Sequence, residues 1–340
     1  MPRRGKNPTL RDVALLAGVS PMTVSRVLHQ APGVASTTRH RVIAAITICG
    51  YRPNELARRL RRGHGTDLIG LLVPDLSRGS HSQLAVGVDM MAAQHGLRVI
   101  VSSTGQSEDK EGELVGELLA RGVEGLIAVP SGADQRHLGA ATNADVPVVL
   151  AQHPPVGFTA DCVLVDDFGG ARDATEWLLS HGHRRVGFLG SMSAGQGDIE
   201  ALRGYMTVLS SSGLPTGDLV RWCQDTPGRA EHAAVELLAL PNPPAAIVCS
   251  SPSATAGALR AVRSQGTGAT VVGFADFPLA ADLPLTRITY DAKELGRTAC
   301  RLLVARLHNR RDHCVSSEAP GTTRPPRCLI VPTHLLRHRH

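Results

Sequence analysis

Residues 9–28, TLRDVALLAGVSPMTVSRVL, carry start and stop signals for two short helices joined by a tight turn. Thr9 can cap the first helix, and Asp12, three residues on, stands where a capping-box carboxylate belongs. Leu10, Val13, Ala14 and Ala17 recur at i, i+3, i+4 and i+7, which gives that helix one apolar face. Gly18 ends it, and Val19 buries at the turn. Ser20 reads as a second N-cap, with Pro21 at the first helical position, where its missing N–H costs nothing. Val24, Val27 and Leu28 form the inner face of the second helix and leave Met22, Ser25, Arg26 and His29 pointing outward.

Two short helices crossing through a glycine-containing turn, with hydroxyls and an arginine exposed on the second, suit insertion into a DNA major groove. An ordinary helical hairpin has the same pattern, so the following residues matter. VASTTRHRVIAAI (34–46) starts a third helix at Ser36 or Thr37, in which Val42, Ile43, Ile46 and Cys49 are expected to close a three-helix core. GYRPNELARRLRRG (50–63) breaks that helix and offers Asn54 as the cap of a short one with four arginines. Alone, so short and basic a helix should melt, because isolated helices under about 12 residues are marginal and like charges repel.

Charge follows the same division. Residues 1–66 hold twelve lysines and arginines against two acids, a net of +10, which leaves the remaining chain at −4. One module therefore faces a polyanion and the rest does not.

These motifs resemble the DNA-binding headpiece of the LacI/GalR (lactose-repressor) family over about the first 63 residues, and a looser resemblance continues to the C-terminus. Carried over residue by residue, the resemblance implies base reading by Pro21, Met22 and Arg26. It implies phosphate contacts by Ser20, Thr23, Ser25, Thr38, Tyr51 and Asn54. Ala57 would lie at the minor-groove floor, with Leu60 as a wedge between base pairs. It further implies a palindromic double-stranded DNA operator, bound by a homodimer whose hinge helices fold on contact.

From Asp67 onward, short apolar runs alternate with helical patterns. LIGLLVP, LRVIVSS, EGLIAVP, VPVVLA and CVLVDD read as buried strands, and VGFLG, AAIVCS and TVVGF resume the series. Such alternation implies parallel sheets covered on both faces, and two series in succession imply two doubly wound subdomains. The expected fold is an α/β core behind an all-α helix-turn-helix headpiece. The resemblance makes the core type I periplasmic-binding-protein-like, with crossings between subdomains near His181, Tyr290 and Arg324. The expected division is a headpiece over 1–53, a hinge over 54–66 and a core over 67–340. Within the core, one subdomain takes about 67–180 plus 291–323 and the other about 181–290 plus 324–340.

A ligand is expected in the cleft at the strand C-termini. The cleft departs from the family's sugar-binding pattern. The usual arginine before the Gly204–Tyr205 pair is Ala201, the usual Asn-Asp is Ser251–Pro252, and the first acid of the usual GFDD is Ala275, which leaves Asp276. Missing bidentate groups argue against a conventional sugar and leave a sugar or another metabolite open as the effector. Arg78, His81, Asp166, Asp167, Arg203 and Asp276 are the polar candidates for contacting it.

Other classes find less support. No GxGxxG, GxxxxGK[ST] or GxSxG motif occurs, so no enzyme, cofactor or metal site is expected. Seven scattered cysteines without a CxxC pair read as reduced, apolar residues. No apolar run approaches the ~20 residues that span a bilayer. MPRRGKNPT lacks a following hydrophobic segment, so a cytoplasmic location is expected. A solute-binding receptor without a DNA role is the alternative, against which the +10 headpiece speaks. The expected function is a sequence-specific DNA-binding transcriptional repressor under small-molecule control through the core cleft; the sequence leaves open the choice between inducer and corepressor and that between dimer and tetramer.

Overall fold

The computed structural model describes residues 8–28, 33–51, 66–191, 196–277, 280, 282–315 and 325–338, with the last helix described by its backbone alone over 311–315. It divides into two compact units, Met1–Thr66 and Asp67–His340.

In the first unit, α1 (Leu10–Ala17), α2 (Pro21–Leu28) and α3 (Ser36–Cys49) enclose a small core. The Asp12 carboxylate accepts both the Thr9 backbone N–H and the Thr9 hydroxyl at 2.7 Å, and these bonds hold its pKa below the usual carboxylate range. Gly18 ends α1 with φ 63°, a left-handed conformation that glycine adopts without a Cβ penalty. Val13, Ala14, Ala17, Val24, Val27, Val42 and Ala45 are buried together. Ile43 differs from its expected place and is 50% exposed. A helix turns 100° per residue, so the face defined by Val42, Ala45, Ile46 and Cys49 carries Ile43 to the side.

The second unit holds two six-stranded sheets. The first comprises β1 (Leu68–Val73), β2 (Arg98–Ser103), β3 (Gly125–Ala128), β4 (Val148–Ala151), β5 (Asp161–Val165) and β11 (Cys328–Val331), in the order β11-β5-β4-β3-β1-β2 and wholly parallel. The second comprises β6 (Val186–Ser191), β7 (Val220–Cys223), β8 (Ala246–Cys249), β9 (Thr270–Phe274), β10 (Arg287–Tyr290) and β12 (Thr333–Leu336). Its order is β12-β10-β9-β8-β6-β7, with β12 antiparallel to β10.

Helices cover both faces of each sheet. On the first sheet, α4 (Gly79–Gln94) and α11 (Ala292–Val315) pack against each other on one face. There Gly87 lies on the Lys293 carbonyl and Gly296 on the Leu84 carbonyl, so any side chain at either position would force the helices apart. The other face carries α5 (Glu108–Ala120) and α6 (Arg136–Asn143). On the second sheet, α7 (Asp167–Ser180) pairs with α8 (Gln196–Ser211), and α9 (Pro227–Leu238) with α10 (Pro252–Gln265).

The crossings correct the sequence expectation twice. The chain leaves the first sheet at Asp166, one helix before His181, because α7 packs on α8 and on β8, β10 and β12 of the second sheet. The last crossing falls at Pro332, after Arg324, because β11 pairs with β5 in register from Cys328 to Val331. The remaining crossing lies at Asp291, between β10 and α11. Strand β2 is a further difference. Expected as a buried strand, it is a sheet edge with one neighbour, and Val101 is 38% exposed on it.

Candidate functional site

The outward face of α2 is built by its cap and its inner residues. Ser20 Oγ accepts the Thr23 backbone N–H at 3.1 Å and shares a hydrogen bond with Thr23 Oγ1 at 2.9 Å, which fixes the first turn. Burial of Val24 and Val27 then turns Pro21, Met22 and Arg26 outward, with Met22 71% exposed. Ser25, Thr38 and Tyr51 are half-buried, the tyrosine against the three-helix core. Asn54, Ala57 and Leu60 lie outside the described residues. The result is a short helix that presents an apolar tip and a guanidinium, on the unit that holds the chain's excess positive charge.

In the second unit, a cleft of about 410 Å³ opens between the lobes at the C-terminal ends of both sheets. The first lobe contributes Arg78, Ser80 and His81 from the start of α4, and Gln152 and His153 after β4. The second contributes Asp167 at the start of α7, Asp198 on α8, Asp225 after β7, Ser250 and Ser251 after β8, Asp276 after β9, and Tyr290.

Hydrogen bonds join the walls, among them a Ser80–Tyr290 side-chain bond and three more. Arg78 Nη2 donates to Asp225 Oδ2 at 2.7 Å as an ion pair. The Ser80 backbone N–H donates to Asp276 Oδ2 at 3.2 Å, and Gln152 Nε2 to the Tyr290 hydroxyl at 2.8 Å. The cleft is therefore closed by the protein's own polar groups.

Its electrostatics are uneven. His81 Nδ1 lies 2.8 Å from the Asp75 carbonyl, which can only accept, so Nδ1 carries the proton. Burial lowers the pKa of His81, and burial with the neighbouring His81 brings His153 down to about 4, so both rings are neutral at physiological pH. Across from them, burial and the charges of Asp198, Asp166 and Glu200 push Asp167 up to about 8. Burial also raises Asp198 to about 6, opposed by hydrogen bonds from Ser250 Oγ and the Ser191 N–H.

Of the six polar candidates, Arg78, His81, Asp167 and Asp276 converge on the cleft. Asp166 and Arg203 do not. The Asp166 carboxylate caps α7 by accepting the Gly169 N–H at 2.9 Å, on the wall of a smaller neighbouring cavity. Arg203 is exposed, paired with Glu200 at 2.6 Å and 5.8 Å from the Phe168 ring centroid. The sequence reading missed Gln152, His153, Asp198, Asp225, Ser250 and Tyr290. The available signal was position, since each lies at or just beyond the C-terminal end of a parallel strand or at the start of the next helix. Ser251 serves as the cap of α10, accepting from the Ala254 N–H at 3.1 Å, and donates to Asp225 at 3.2 Å.

Among the described residues, no group of His, Cys, Asp or Glu is arranged to hold a metal, and no helix is long and apolar enough to cross a membrane.

A helix-turn-helix unit joined to a two-lobed, three-crossing cleft fold defines a class of one-chain regulators in which one part reads DNA and the other senses a small molecule. Residues 9–54 match the family described as "Bacterial regulatory proteins, lacI family", and residues 66–328 match "Periplasmic binding proteins and sugar binding domain of LacI family". The HTH-type transcriptional regulator GalS of Salmonella typhimurium is 32% identical over 86% of this chain and 88% of its own length. Catabolite control protein A of Priestia megaterium is 30% identical over 87% and 92%. The lac repressor dimer bound to operator and the anti-inducer ONPF superposes with a TM-score of 0.79 at 26% identity, over 98% of this chain and 99% of that one. The transcriptional regulator CelR–cellobiose complex gives 0.70 at 28%, over 97% and 98%. The chain belongs to the LacI family of bacterial transcriptional regulators.

Proposed function

We propose that this protein is a repressor that binds a palindromic operator as a homodimer in the cytoplasm and releases or grips it according to the state of the core cleft. The observation that carries this is the exposed face of α2 on a unit of net charge +10, beside a core of −4. Arg26 is assigned to a guanine through two parallel hydrogen bonds, and Met22 and Pro21 to apolar contact with thymine methyl groups. Ser20, Thr23, Ser25, Thr38, Tyr51 and Asn54 hold phosphates, while Ala57 and Leu60 enter the minor groove once the hinge over 54–66 folds. Dimerisation is supported by the uncovered side of the first lobe, where Val86, Met90 and Val101 are exposed on α4 and β2. The operator-bound dimer of the lac repressor provides the precedent.

The cleft supplies control. A ligand shifts the lobes only by binding one arrangement better than the other. The Arg78–Asp225 pair belongs to the closed arrangement, so a ligand that replaces it or reinforces it changes the spacing that the hinge helices need on DNA. Selection of bound DNA from a random pool, followed by titration with Arg26→Ala, tests the reading. The variant should lose about 1 to 3 kcal/mol of discrimination at one guanine of each half-site. Equal relative affinity for operator and scrambled DNA in both proteins would overturn the assignment.

A further inference from the structure

We propose that the cleft selects a small ligand carrying a protonated amine beside its hydroxyl groups, with Asp167 as the partner of the ammonium; this rests on the reading of the cleft as the effector site. Donors and acceptors there do not balance. Five aspartates line the cleft, four on the second-lobe wall and Asp291 at the crossing, where it accepts the Glu294 N–H at 2.8 Å, whereas the Arg78 guanidinium is already engaged by Asp225 at 2.7 Å. Asp276 accepts from the Ser80 N–H at 3.2 Å, and Asp198 from the Ser250 hydroxyl and the Ser191 N–H at 3.1 Å. Asp167 has no hydrogen bond or ion pair among the described residues, although it lines both the cleft and the smaller cavity beside it.

The charges that act on it are all of one sign. Asp166, Asp198 and Glu200 face it from its own lobe, and the first-lobe wall offers the neutral rings of His81 and His153. Lys293 also lines the cleft from the start of α11, but the charges that shift Asp167 are those of Asp198, Asp166 and Glu200, and among the described residues no ion pair joins Lys293 to it. Gly197 lies against the carboxylate, where any side chain would collide with it. A neutral polyol would supply hydroxyl donors and leave the repulsion between these acids unrelieved. An ammonium supplies three donors and the missing positive charge. Asp167 keeps its proton at neutral pH, with a pKa of about 8, so the step balances as R–NH3+ plus the carboxylic acid giving the ammonium–carboxylate pair plus one proton released to solvent.

The test uses the full-length protein with glucosamine against glucose and N-acetylglucosamine, and putrescine against 1,4-butanediol, in thermal-shift and calorimetric titrations. Each amine should stabilise the protein at about tenfold lower concentration than its neutral counterparts. Calorimetry in two buffers of different ionisation heat should show proton release on binding near neutral pH. Asp167→Asn should bring the amine-to-neutral ratio close to one, and Asp198→Asn should lower it less. Neutral compounds that bind as well as the amines, no shift with either amine, or an unchanged ratio in Asp167→Asn would each overturn the proposal, and the wild-type ratio decides even if a variant fails to fold. Operator binding by the same preparation, followed by fluorescence anisotropy, keeps the two readings apart. Retained DNA binding without amine preference removes the amine alone.

Discussion

The two lobes of the core share one fold and face each other with unlike chemistry. The first-lobe wall carries Arg78, two glutamines, two neutral imidazoles and, from α11, Lys293, whereas the second-lobe wall carries the carboxylates of Asp167, Asp198, Asp225 and Asp276. Both lobes also hold an arginine–aspartate pair away from the cleft, and these pairs differ as much as the walls do. In the first lobe, Arg306 meets the fully buried Asp161 through two hydrogen bonds at 2.7 and 2.9 Å. Asp161 also accepts the Arg327 N–H at 2.7 Å and so ties α11 to the strands at the sheet edge. In the second lobe, Arg185 is covered to nearly the same degree as Arg306, but its partner Asp218, at 2.9 Å, is exposed to competing water and salt. Identical residue types therefore do unequal work, because desolvation sets how strongly a charge depends on its partner.

The contrast can be broken most forcefully at Asp161. Asp161→Ala removes the carboxylate that pairs with Arg306 and accepts the Arg327 N–H, and should cost about 3 to 5 kcal/mol of core stability in denaturant unfolding. A loss below about 1 kcal/mol would mean that the two lobes' pairs are equivalent after all. Arg26→Ala, in the other unit, should leave that stability unchanged while removing about 1 to 3 kcal/mol of base discrimination, and so separates folding from reading.

The cleft walls are sharpened by pH. Asp167 and Asp198 have folded-state pKa values of about 8 and about 6, above the usual carboxylate value of about 4, so the native state holds more protons than the unfolded chain between these limits. Their contribution to stability is therefore fullest at low pH and declines as pH rises from about 4 to about 8. Unfolding followed across that range should show ligand-free stability falling, and Asp167→Asn should recover on the order of 1 kcal/mol or more at the alkaline end. A flat profile in the wild type would contradict the arrangement of acids described above. The smallest effect belongs to Asp218→Ala, expected to cost under about 1 kcal/mol and to shrink further in high salt.

Legibility followed the range of the interactions. Thr9, Asp12, Gly18, Ser20 and Pro21 act within a few residues of themselves, so caps, turn and helix boundaries could be read directly. The strands of the core were visible as apolar runs, and Arg78, His81, Asp167 and Asp276 were found because they lie close to strand ends. Asp166 and Arg203 misled because adjacency to a site residue in the chain is not adjacency in space. One caps a helix and the other points away from the cleft beside Glu200. Asp198 and Asp225 were overlooked because nothing local distinguishes an aspartate that faces a cleft from one that faces solvent.

By itself, the amino-acid sequence determined that a basic three-helix unit precedes an alternating α/β core, because capping, periodicity and net charge are properties of neighbouring residues. Tertiary structure alone decided that α7 belongs to the second lobe, that β11 returns to the first, and that Asp198 and Glu200 of α8 come to face Asp167 at the start of α7. Those outcomes depend on which apolar face finds which sheet, a choice settled by packing between segments far apart in the chain.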